Sequence, residues 1–72
     1  MKEFNAGDAI KSIRPFNNGR CIVKSNDTGR VLSSERGYTF IQMNNGDEFL
    51  IKTDLMENFF IKKREEMTLW KL

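Results

Sequence analysis

The sequence predicts a mainly β fold, a small barrel of about five short strands with a helical turn or helix near the C-terminus. Three observations predict it. The tripeptide Asn-Asn-Gly occurs twice, at residues 17–19 and 44–46. Asn tolerates positive φ and Gly adopts it freely, so each pair fits the tight turns that join adjacent strands. Short runs rich in β-branched and aromatic residues flank the second turn, and Gly, Asn, Asp and Ser punctuate the chain between the remaining runs.

Taken in order, residues 9–14 (Ala-Ile-Lys-Ser-Ile-Arg) read as a weak strand ended by Pro15, which fixes φ and lacks an N–H. Residues 21–24 (Cys-Ile-Val-Lys) form a short apolar run, followed by turn-forming Ser-Asn-Asp-Thr-Gly, so a long excursion separates the first strand from the second. Residues 29–34 read as that second strand, with Glu-Arg-Gly as a three-residue connection to residues 38–43. The pair 38–43 and 48–52 is a hairpin around the second Asn-Asn-Gly, and residues 29–52 make a three-stranded meander. Asp54-Leu-Met-Glu57 has the spacing of a capping box. Beyond it, either one helix carries Met56, Phe59, Phe60, Lys63, Met67 and Trp70 on a single face, or one helical turn at 53–58 leads into a short strand at 59–63. The two Asn-Asn-Gly sites share nothing beyond the tripeptide, so they are not an internal repeat.

The 72 residues read as one domain, with the barrel over about 6–63 and a tail over 64–72. A domain of this size buries about 60% of the surface of its unfolded chain, so the core is small. Six Phe, one Tyr and one Trp supply its bulk. One cysteine cannot form an internal disulfide, and without histidine the common zinc sets are missing, so no metal or cofactor is expected. No apolar run approaches the roughly 20 residues of a membrane helix, which leads to an expectation of a cytoplasmic protein without membrane contact. Net charge is only +2, but it is unevenly spread. Residues 10–46 hold six basic side chains against two acidic, whereas residues 47–59 hold four acidic against one basic.

The order of several short motifs resembles the small SH3-like barrels, including KOW-type domains and related accessory barrels. These are Gly7-Asp-Ala-Ile10 before a first strand, Thr28-Gly-Arg-Val31 opening a second, Tyr38 to Met43 as a third, Asn45-Gly-Asp-Glu48 as a hairpin and Asp54-Leu-Met-Glu57 as a closing turn. The resemblance covers about residues 6–58. It implies binding through the loops at one end of the barrel, to protein or to nucleic acid, and it implies a non-enzymatic role.

The candidate binding residues are Arg14, Phe16, Asn17, Asn18, Arg20, Lys24, Arg30 and Arg36. The first five bracket the first Asn-Asn-Gly, where arginine and an aromatic on a loop match the composition enriched at interfaces. The competing reading folds Phe16 into the core and leaves Arg14 and Arg20 as ordinary solvated charges. With Lys11, the other cations would extend a basic stripe if the first strand, its loop and the Gly29 turn lay together. Tyr38 and Phe40 alternate on one strand face and are expected in the core, with base stacking as the alternative. Cys21 adjoins an apolar strand and reads as a small buried hydrophobe. The carboxylates Asp47, Glu48, Asp54 and Glu57 read as turn and cap residues, because their spacing matches no calcium loop. Met67, Leu69 and Trp70 are expected to pack back on the barrel. A monomeric regulatory module is expected, with a protein partner first and nucleic acid second. The Asn- and Lys-rich composition is similar to that of short bacterial or phage proteins from AT-rich genomes, which act by binding host machinery.

Overall fold

The computed structural model describes residues 3–17 and 19–63. They form seven strands and one helix: β1 (Ala9–Ser12), β2 (Phe16–Asn17), β3 (Ile22–Val23), β4 (Thr28–Glu35), β5 (Tyr38–Met43), β6 (Glu48–Lys52), α1 (Thr53–Phe59) and β7 (Phe60–Lys62). Five of the strands make an antiparallel sheet in the order β6-β5-β4-β1-β7, and β2 with β3 makes a separate hairpin. The molecule is therefore mainly β. No hydrogen-bonded ladder joins the edges β6 and β7 among the described residues.

The excursion expected between the first two strands of the sheet holds the β2–β3 hairpin. The connection from β4 to β5 is two residues rather than three: Glu35 stays in the ladder opposite Tyr38, and Arg36 (φ 54°) and Gly37 (φ 82°) make the turn. Positive φ at both central positions is the geometry that matches strand twist in a two-residue hairpin. Past β6 the chain takes the second of the two alternatives, one short helix followed by a strand, over residues 53–62. The expected capping box does not form. Lys52 is the N-cap and makes no side-chain cap bond, while Asp54 sits in the first turn, where a negative charge favours the helix dipole. The expected packing of Met67, Leu69 and Trp70 lies outside the described residues.

The second Asn-Asn-Gly closes the β5–β6 hairpin. Asn45 Oδ1 accepts the Asp47 N–H at 2.9 Å, and the Gly46 N–H donates to the Met43 carbonyl at 2.9 Å. Gly46 has φ 98°, and a Cβ there would meet nothing within 4 Å. Gly46→Val thus costs conformational strain without a clash, about 1–3 kcal/mol, read as a lower urea midpoint.

Ten apolar residues form one buried cluster, drawn from every strand of the main sheet, from β3, from α1 and from Phe4. On β5 it takes Ile41 and Met43, and beside them Thr39 is fully buried. Tyr38 is 47% exposed and Phe40 half-buried, so the expected core face of this strand is the outer one. The reason lies at Thr39, whose hydroxyl pairs with that of Thr53 at 2.9 Å and lies 3.4 Å from that of Ser34. A buried hydroxyl with partners avoids the desolvation penalty of an orphaned one. A bulge between Val31 and Ser33 shifts the β4–β5 register, sets Leu32 outward and bends β4.

Candidate functional site

The first Asn-Asn-Gly belongs to the β2–β3 hairpin, in which Phe16 pairs with Val23 and Asn17 with Ile22. Asn17 Oδ1 accepts the Gly19 N–H at 2.7 Å, and Gly19 has φ 92°, so an Asx-type turn is built into the tip. Asn18 lies outside the described residues.

Phe16 is half-buried and wedged between two rings. Its centroid is 5.4 Å from that of Phe49, stacked, and 5.1 Å from that of Phe59, edge-on. Such pairs prefer these offset and T-shaped geometries and hold the hairpin against the sheet. The Arg14 guanidinium lies 5.9 Å from the Phe59 ring centroid, within cation–π range. Two hydrogen bonds position this approach: the Ile13 N–H donates to the Phe59 carbonyl at 2.8 Å, and the Ser12 hydroxyl donates to the Arg14 carbonyl at 2.8 Å. Phe16 packs on the core, as the competing reading has it, while Arg14 lies over the outer ring of the aromatic pair rather than standing as an isolated solvated charge.

Three exposed apolar side chains that the sequence did not single out lie on the segments that carry this stack, with Ile22 on the outer face of the hairpin. Ile13 is 47% exposed, Ile22 64% and Leu55 39%. Leu55 and Phe59 are four residues apart on α1 and share a face. The signal for Ile22 was present in the run Cys-Ile-Val-Lys. A two-residue strand buries Val23 and turns its neighbour out, leaving Cys21 half-buried with its thiol 3.9 Å from the Glu48 carbonyl.

The basic set divides. Arg14, Phe16, Asn17 and Arg20 belong to the hairpin and its approach, and Arg20 is exposed but engaged in a further interaction. Lys24 opens the next turn, where Asp27 accepts its backbone N–H at 2.9 Å. Arg30 sits on β4 opposite Ala9 and Gln42, whereas Arg36 occupies the β4–β5 turn. Six residues of extended strand separate those two, roughly 20 Å, so Arg30 and Arg36 do not lie side by side. Arg30 and Lys63 line an open cleft of about 490 Å³ with Thr28, Gln42 and Asn44. Asn44 is fixed there by its bonds to the carbonyl and hydroxyl of Thr28.

Among the described residues no group of three or more His, Cys, Asp or Glu is placed to hold a metal ion, and no helix is long and apolar enough to cross a membrane. Neither a protein-family model, nor a curated protein, nor a solved structure matches this chain.

Proposed function

We propose that this chain is a non-enzymatic binding module that engages a protein partner through the β2–β3 hairpin and the adjoining helix. The observation that carries the reading is the Arg14–Phe59–Phe16 stack at the surface, with exposed Ile13 beside Arg14 and exposed Leu55 one turn from Phe59 on α1. Arginine, aromatic and aliphatic side chains held on a fixed support are the composition of interface cores. A surface dominated by phosphate contacts would instead concentrate lysine and arginine, and here Arg30 and Arg36 are roughly 20 Å apart along β4 and its turn.

In this reading the sheet is that of a small SH3-like barrel. β1 pairs with both β4 and β7, the bulge at Leu32 bends β4, and α1 spans from β6 to β7; all three support a curled sheet with the hairpin flanking one end. The module acts as a cytoplasmic regulator by occupying its partner's surface.

The test is the double variant Arg14→Ala/Arg20→Ala. Loss of the Arg14–Phe59 contact is expected to cost only about 0.5–1 kcal/mol, so the variant melts close to the parent. Partner affinity is expected to fall about tenfold or more, as for arginines central to an interface. Unchanged affinity in a folded variant would remove the hairpin from the binding surface.

A further inference from the structure

Strand β6 reads Glu-Phe-Leu-Ile-Lys and forms one edge of the five-stranded sheet. Its pairing with β5 determines which of its backbone groups are used. The Met43 N–H donates to the Asp47 carbonyl at 2.7 Å, and the Thr53 N–H donates to the Gly37 carbonyl at 2.9 Å. Antiparallel alternation between these anchors makes Phe49 and Ile51 the hydrogen-bonded partners of Ile41 and Thr39. The backbone groups of Glu48, Leu50 and Lys52 therefore point away from β5, toward an edge that no other described strand pairs with. The Leu50 side chain, on the outer face, is 60% exposed.

We propose that this edge pairs with β6 of a second copy of the chain, antiparallel and centred on Leu50, giving a two-fold dimer with one continuous sheet. A two-fold axis at Leu50 sets Leu50 against its own copy, Glu48 against Lys52 of the second copy, and Lys52 against its Glu48. These are the three residues whose backbone groups face the edge, so a single register completes the ladder and the charge pairs together. Parallel pairing would set Glu48 against Glu48 and Lys52 against Lys52, which is repulsive. On the outer face Phe40 lies beside Leu50 in the β5–β6 register, and exposed Leu32 sits at the bulge one strand further. Dimerisation joins this apolar row to its copy, an isologous contact that closes on itself. The β2–β3 hairpin reaches the edge at Glu48 through Cys21. The Glu48 carbonyl keeps a second lone pair for the incoming N–H. The inference replaces the monomer expected from the sequence.

Sedimentation equilibrium over a concentration series tests it. The parent is expected to rise from 8.4 kDa toward twice that mass. Glu48→Lys alone and Lys52→Glu alone place like charges opposite each other, and each is expected to associate about tenfold or more weakly than the parent. An equimolar mixture of the two is expected to dimerise again, because one variant then presents two cations and the other two anions. The chain carrying both substitutions is expected to dimerise like the parent, which separates lost pairing from lost folding. A parent that stays at 8.4 kDa into the millimolar range, or a mixture that associates no better than its components, overturns the proposal.

Discussion

Phe60→Ala is expected to remove most of the stability of this domain. Phe60 is the first residue of β7, sits opposite Ser12 of β1 and is 1% exposed within the buried cluster. Truncating a buried phenylalanine costs about 3–5 kcal/mol, the lost transfer energy together with the cavity left behind. A domain of this length has only about 4–11 kcal/mol to lose at typical stability per residue. The variant is therefore expected to unfold at a far lower urea concentration, or to be unfolded without denaturant. The effect is also a test of topology, because Phe60 lies where a continuous helix and a helix-then-strand differ. A midpoint equal to the parent's would place β7 outside the core.

Gly29→Ala is expected to have the second largest effect, through steric overlap. A Cβ at Gly29 would lie 2.7 Å from the Gln42 carbonyl oxygen, 2.8 Å from Met43 Sδ and 3.1 Å from Met43 Cα. The Met43 side chain can turn aside, but the two β5 backbone atoms cannot retreat without opening the β4–β5 ladder at its Gly29–Met43 pair. Overpacking of this kind costs about 1–3 kcal/mol or more, seen as a lower melting temperature. Gly46→Val is the instructive comparison, since its site has open space and a positive φ, so strain alone acts there. If Gly29→Ala melts with the parent, β4 and β5 are not as closely apposed as described.

Much of the sheet was legible because its turns are spelled by residues with a specific backbone role. Asn45-Gly46 marked the β5–β6 hairpin, and the alternation Phe49-Leu50-Ile51 with charged ends marked β6. The β4–β5 turn was placed one residue long, since nothing in the local sequence requires Arg36 to adopt φ 54°. That conformation is imposed by the ladder on either side, in which Glu35 pairs with Tyr38. The facing of β5 was misread for a related reason. Tyr38 and Phe40 carry more apolar surface than Thr39, and the hydroxyl partner that permits Thr39 to be buried, Thr53, is 14 residues away. Gly29 was read as a turn opening the second strand, whereas it lies within β4 paired with Ile10 and Met43, and the close approach of Met43 is what requires glycine there.

At the candidate surface, arginine and the aromatic of the first turn were visible as a composition, while the arrangement was not. Phe16 could be read as core or as surface because it is both, seated between Phe49 and Phe59 with Arg14 over the outer ring. Exposed Ile13 and the Phe59 ring come from segments that only the fold joins, through the Ile13 N–H and the Phe59 carbonyl. The basic stripe was conditional on the first strand, its loop and Gly29 lying together, and the density of cations in the sequence carries no information on the roughly 20 Å of β4 and turn that separates Arg30 from Arg36.

Protein recognition by the hairpin end is tested by capture from an extract of the source cell on immobilised parent protein and on Arg14→Ala/Arg20→Ala. Each is run with and without nuclease at two salt concentrations. The expected result is a protein band that the parent retains after nuclease treatment and the variant loses, with weak dependence on salt. Two outcomes would contradict it. One is equal capture by both proteins. The other is retention that disappears with nuclease and falls steeply with salt, with the variant flattening the slope of log affinity against log salt by about 1.8, the signature of two lost phosphate contacts on duplex DNA.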